Sequence, residues 1–349
     1  MKKILITGGA GFIGTSATKY FINKGWHVSI LDNLSRSGAK SNLKDLKKNH
    51  LIDFYNIDIR KWNKIVELFK HNSFDMVLHL AGQVAVTISI TDPREDFEIN
   101  ALGTLNILEA LRKYNPKAFF LNASTNKVYG AMNDLKLIPN NKRYEYVDHP
   151  EGIDETFPLD FHSPYGCSKG SADQYTIDYG RIYGIKTTSF RQSCIYGAYQ
   201  YGEENQGWIA WFTIAILLKK SFKIYGNGKQ VRDILYVDDL IRAYELAYKN
   251  KEKIAGEVFN IGGGNLNTMS LLELFDRLST YQKNLSKDNL NFDKWRSGDQ
   301  KIFVSNISKA KKFLNWKPKY DINLGFDKLY NWTHKNKEMI ERTLKFSSK

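Results

Sequence analysis

The chain has 349 residues, 42% hydrophobic and 25% charged, enough for two lobes with ample buried core; its two cysteines, Cys167 and Cys194, exclude a disulfide scaffold and point to a reducing cytoplasm. The longest apolar run, 208–218, is too short to cross a bilayer, so no membrane partner is expected. The 51 Lys+Arg against 37 Asp+Glu leave a charge of +14, which suggests an anionic partner; the excess is scattered, and no tract alternates basic with aromatic residues, which argues against nucleic acid.

In chain order, the spacing predicts a strand over 3–7, a helix over 12–24 and a strand over 28–32. A charged start followed by Ile4-Leu5-Ile6 mimics a secretory leader, but Thr7-Gly8-Gly9 ends the apolar run after three residues. A helix over 65–71, a strand over 76–80, a helix over 102–114 and a strand over 118–122 follow. Residues 132–149 are polar without periodicity and read as a long loop. A helix over 168–183 and a strand over 186–191 continue the series. Short apolar runs separated by helices indicate a parallel sheet covered on both faces, hence an α/β doubly wound (Rossmann) architecture. Beyond 190 the pattern loosens, with helices near 208–219 and 271–278. We place a dinucleotide-binding domain at 1–190 and a smaller α/β substrate lobe at 191–340, with segments near 233–262 crossing back. The last dozen residues read as a frayed basic end.

The turn Gly8-Gly9-Ala10-Gly11-Phe12-Ile13-Gly14 follows the first strand and opens the first helix. Glycines at 8, 11 and 14 permit a tight turn, close approach of a pyrophosphate and presentation of helix N-terminal amides. Asp32 ends the second strand eighteen residues beyond Gly14, where a carboxylate takes the ribose hydroxyls of NAD; a capping or turn aspartate is the plainer alternative. Asn33 and Arg36 lie beside it, and the carboxylate disfavours a 2′-phosphate, so NAD is preferred over NADP. Asp58 and Ile59 are candidates for the adenine, while Leu80-Ala81-Gly82-Gln83 lets backbone pass close to the cofactor.

In Tyr165-Gly166-Cys167-Ser168-Lys169, Tyr165 and Lys169 fall at i and i+4 on one helix face. A phenol of ordinary pKa near 10 is a poor base, and an ammonium one turn away is expected to lower it into use as a proton acceptor. Ser124 and Thr125 follow a strand, placing Thr125 to hold the reacting hydroxyl. The scattered His71, His79, His149 and His162 lack metal-ligand spacing, so no metal is expected.

Together, the glycine turn, Asp32, Thr125 and the Tyr165/Lys169 pair resemble the extended short-chain dehydrogenase/reductase family over nearly the whole chain. Within it, residues 124–130, 160–175 and 226–233 resemble the 2-epimerases of the CDP-paratose/CDP-tyvelose type. The resemblance implies NAD that takes and returns a hydride at C2 of a nucleotide sugar while Tyr165 handles the hydroxyl proton and Thr125 and Lys169 assist. It also implies Asn100 near the cofactor (a helix cap is the alternative), Arg232 and Arg296 on the diphosphate, and Thr87, Gln206 and Trp208 along the sugar and base pockets. For Arg296 the alternative is an ion pair with Asp299. The related 4,6-dehydratases carry Asp-Glu after the threonine as acid and base; Asn126 and Lys127 supply neither, which disfavours dehydration. The 4-epimerases carry small residues there. Gln192 and Cys194 stand where the tyvelose-type enzymes carry histidine and serine, which leaves the sugar and the base open. A homodimer or homotetramer is implied, formed through helices such as 102–114 and 168–183.

Overall fold

The computed structural model describes residues 1–282, 290–296 and 298–344. Strands and helices alternate through the first quarter as β1 (Lys3–Thr7), α1 (Phe12–Asn23), β2 (His27–Leu31), α2 (Ala39–Asn49), β3 (Asp53–Tyr55), α3 (Trp62–His71) and β4 (Met76–His79). Two short helices, α4 (Val86–Thr91) and α5 (Pro93–Phe97), then run through a π turn (Glu98–Leu102) into α6 (Gly103–Tyr114) and β5 (Phe119–Thr125). After the hairpin β6 (Leu137–Pro139) and β7 (Tyr144–Tyr146) come the long helix α7 (Ser163–Tyr183), β8 (Thr187–Gln192) and β9 (Cys194–Tyr196). The remaining elements are α8 (Trp208–Leu217), β10 (Ile224–Tyr225), β11 (Val231–Tyr236), α9 (Val237–Lys249), β12 (Glu257–Ile261), β13 (Thr268–Ser270), α10 (Leu271–Tyr281), β14 (Phe292–Asp293), β15 (Ile302–Phe303), α11 (Ser308–Leu314), α12 (Ile322–Lys335) and α13 (Lys337–Leu344).

Seven strands form one sheet in the order β12-β8-β5-β4-β1-β2-β3, every pairing parallel. This is the doubly wound α/β sheet expected from the apolar runs. Alternate side chains feed two cores, because successive strand residues face opposite sides. Ile4, Ile6, Met76, Leu78 and Leu121 pack on one face; Leu5, Val77 and Phe120 pack on the other, against Ile107, Leu111 and Tyr179. Both faces being covered explains why β1 and β4 read as short unbroken apolar runs, Ile4–Ile6 and Met76–Leu78. β12 adds to β8 in register Phe259↔Phe190, and Tyr248 of α9 meets Trp26 edge-on at 4.8 Å. A second, smaller layer is centred on β11, which pairs with β9, β13 and β15.

Three expectations change. Residues 132–149 contain the hairpin β6–β7, with Leu137 opposite Tyr146; each strand is three residues long, too short for a period to show in the sequence. The helix expected over 168–183 begins at Ser163, which puts Tyr165 in its first turn. The basic end is not frayed through its last dozen residues: α13 buries Ile340 among Tyr201, Ile214 and Leu218, while 345–349 lie outside the described residues. No described helix is long and apolar enough to cross a membrane.

Candidate active site

A cavity of about 680 Å³ runs from the glycine turn, past the C-terminal ends of β4 and β5, to β11 and the segment around Arg296. This is the position open α/β sheets reserve for ligands. Of the predicted site residues all line it except Asn100.

The glycine turn is shaped for a group that needs backbone contact. Gly8 has φ +68° and a Cβ there would sit 2.8 Å from the Ala81 amide nitrogen; one on Gly14 would sit 2.3 Å from the Gly8 carbonyl oxygen. Asp32 accepts hydrogen bonds from the amides of Ala10 at 3.0 Å and Leu34 at 2.8 Å. Burial raises its pKa, and those two amides oppose the rise. Asp58 is fixed by Arg60 at 2.7 Å and by the Asn33 amide at 3.0 Å, so its carboxyl is held down at about 2. Ser124 Oγ is buried with no hydrogen-bond partner among the described residues, an orphaned polar atom on the cavity wall. Gly82 passes between the Asn100 and Lys169 side chains. A cradle without Cβ atoms, a strand-end carboxylate and an orphan hydroxyl together suit a dinucleotide.

Asn100 stands behind this wall. Buried in the π turn, it donates to Asp96 at 3.1 Å, to the Gln83 carbonyl at 3.2 Å and to Ser168 at 3.2 Å. Its Oδ1 accepts from the Gln83 amide at 2.9 Å. It is neither a helix cap nor in reach of the cavity; it braces the segment that is. Gln83 spends its own side chain in the same network, donating to Asp96 at 2.9 Å. Asp96 has no sequence signal and was not expected.

Tyr165, in the first turn of α7, is held by its amide donating to Ser89 Oγ of α4 at 3.1 Å. Thr125 ends β5 opposite it. Burial pushes the Tyr165 phenol up to about 12; Thr125 opposes this and Asp96 adds to it. The expected lowering by Lys169 is absent, because that ammonium is turned to the Ala123 carbonyl at 2.7 Å. Burial also brings Lys169 down to about 8, against Asp173 and Asp96.

On the substrate side, Asn126 donates to Gln300 at 3.1 Å and Lys127 to the Gly298 carbonyl at 2.9 Å. Arg296 pairs with Glu204, donating to its carbonyl at 3.0 Å, rather than with Asp299. Gln192 faces the cavity but donates its amide to Tyr244 Oη at 2.7 Å, which ties it to α9. Burial takes the Cys194 thiol up to about 12, opposed by Trp208, so it has no thiolate character. Thr87 Oγ1 is buried without a partner among the described residues. Sequence reasoning missed Glu204 and Tyr225 on the same wall; neither belongs to a local motif.

Residues 5–329 match the family described as GDP-mannose 4,6 dehydratase. The CDP-paratose 2-epimerase of Salmonella typhi is 46% identical over 95% of this chain and 99% of its own. Among solved structures, the UDP-glucose 4-epimerase of Thermotoga maritima, with UDP-glucose, superposes at TM-score 0.82 with 32% identity, over 96% of this chain and 99% of that one. The dTDP-glucose 4,6-dehydratase of Bacillus anthracis, in complex with NAD, gives 0.81 with 26% identity, over 98% and 100%. On the sequence match and the shared fold, the chain belongs to the GDP-mannose 4,6-dehydratase family of the extended short-chain dehydrogenases/reductases.

Proposed function

We propose that the chain is an NAD-dependent nucleotide-sugar 2-epimerase that inverts C2 of a CDP-sugar of the paratose/tyvelose type, in the cytoplasm and for surface polysaccharide synthesis. One observation carries this. Thr125, Tyr165 and Lys169 line one cavity together with the glycine turn and with Arg232 and Arg296, and Asn126 and Lys127 fill the positions next to Thr125. The site therefore pairs proton transfer at one hydroxyl with no carboxyl acid–base pair for elimination. The relative at 46% identity is a 2-epimerase by name.

Gly8, Gly11 and Gly14, with Phe12 and Ile13 opening α1, would hold the pyrophosphate; Asp32 would take a ribose, with Asn33 and Arg36 beside it, and Asp58 and Ile59 would flank the adenine. Bound there, NAD⁺ would supply a hydride acceptor and then a hydride donor, and the positive charge of its nicotinamide ring would favour the Tyr165 phenolate. Tyr165 takes the proton of the sugar's C2 hydroxyl and later returns it. Thr125 orients that hydroxyl and polarises the carbonyl it becomes. Lys169 keeps N–H groups beyond its bond to Ala123 that would serve the cofactor ribose. Arg232 and Arg296 would fix the diphosphate, and Thr87, Gln206 and Trp208 would wall the sugar and base.

A panel of CDP-, UDP-, GDP- and dTDP-sugars followed by NMR tests this: inversion at C2 of a CDP-sugar is expected, and inversion at C4 would overturn it. We further propose a homodimer or homotetramer paired through α6 and α7. Tyr175, Ile182 and Tyr183 of α7 and Tyr114 of α6 are exposed, more apolar surface than solvated helices usually show. Elution with a monomer standard at micromolar concentration would count against it.

A further inference from the structure

Lys127 occupies an electrostatically costly place in the cavity wall. The helical turn Asn126–Tyr129 after β5 sends its side chain across to the segment beyond Arg296, where Nζ donates to the Gly298 carbonyl at 2.9 Å. That bond uses one N–H of the amine and leaves others for a ligand. The segment does not depend on it for position, since Asn126 donates to Gln300 at 3.1 Å and Gln300 donates to the Gly130 carbonyl at 2.6 Å. The charged groups facing Lys127 are Arg232 of β11 and Asp299. Burial, then the Arg232 guanidinium, hold its amine down to about 7, with Asp299 opposing. Two cations side by side in a partly buried wall are unfavourable until an anion arrives to offset them.

We propose that Lys127 is a substrate-contacting residue that, with Arg232, grips the phosphate end of the nucleotide sugar. This rests on the cavity being a nucleotide-sugar site. It also bears on reaction type. In the empty site an amine held near 7 is able to take a proton, but beside a phosphate it is an ammonium and has no lone pair for the elimination step.

The test is calorimetry on the NAD-loaded full chain titrated with CDP near pH 8, in two buffers of unlike ionisation heat and without phosphate. The wild type is expected to bind with proton uptake, because Lys127 is largely neutral when free and charged when bound. Lys127→Met should weaken binding roughly 10- to 100-fold, as loss of a charge-assisted hydrogen bond does, and should abolish that uptake. Arg232→Met should weaken binding and leave a smaller uptake, because burial still holds the Lys127 amine down once the guanidinium is gone. Lys127→Met binding CDP like the wild type, while Arg232→Met does not, would overturn the proposal and leave the site assignment standing. Weaker binding with unchanged proton uptake would reduce Lys127 to a strap and overturn it equally. A wild type that binds none of CDP, UDP, dTDP or GDP would remove the nucleotide-sugar assignment itself, and this proposal with it.

Discussion

The Arg296 guanidinium lies 3.7 Å over the ring of Tyr225, and Glu204 holds both, accepting from the Tyr225 hydroxyl at 2.7 Å. The arginine is thus preset before any diphosphate arrives, which removes part of the ordering cost of binding. Tyr225→Leu should raise the Kd for CDP by about 3- to 10-fold, the scale of a partly exposed cation–π contact plus lost ordering. Tyr225→Phe keeps the stack and should change it by less than about twofold. Calorimetry on both variants checks this; equal effects would assign the role to the hydroxyl instead.

Tyr165 carries the proton in the proposed chemistry. Tyr165→Phe should lower kcat by about 10²- to 10⁴-fold, the usual worth of general acid–base catalysis, while the purified protein keeps its NAD. In deuterated water the wild type should return product with its C2 hydrogen intact, because hydride never meets solvent. Deuterium at C2, read by NMR, would replace the hydride route with proton abstraction.

Asp173 anchors α7 beneath the site. Its carboxylate accepts from Arg191 at 2.8 Å with both side chains buried, and from Ser189 at 2.5 Å. Arg191 in turn donates to the Tyr129 hydroxyl at 3.1 Å. Removing one member of a buried pair strands the other. Asp173→Asn should cost about 3–5 kcal/mol in urea unfolding, with a far smaller loss for an exposed control such as Glu338→Gln.

Asp58 makes stability depend on acid. Its carboxyl sits at about 2, below the usual 3.8, chiefly through the Arg60 hydrogen bonds. A folded-state pKa below the unfolded one stabilises the protein above the unfolded value, and the gain is lost as pH falls toward the folded value. The wild type should therefore exceed Asp58→Asn in unfolding free energy at pH 6, with the gap closing between about pH 4 and pH 2. A gap that stays constant across that range would place the effect in packing.

Much of the first layer was legible because its determinants are local. β1, β4 and β5 are buried on both faces, so each reads as an apolar run, and the Gly8–Gly14 and Tyr165–Lys169 spacings lie within single turns or helices. What escaped depends on distant chain. The motif places Lys127 beside Thr125, but its partners Gly298 and Asp299 lie far along the chain and show only in the fold. Arg296 has a nearby acid in Asp299 but bonds Glu204, 92 residues away. The hairpin β6–β7 is set partly by the Tyr144 amide donating to the Lys229 carbonyl, which no local pattern announces. The Tyr165 phenol was misjudged because spacing gives helix geometry but not the direction in which Lys169 points.

The placement of β12 has a consequence for how the chain is made. β8 is complete at Gln192, but its outer neighbour ends only at Ile261. At about 5–20 residues per second, roughly 3–14 s of synthesis pass with that edge bare. An unpaired strand edge is a template for pairing with other chains. A gene cut at residue 190 would therefore yield an open-edged sheet prone to stick to its copies, and the nascent protein relies on the remainder being translated before that edge finds a stranger.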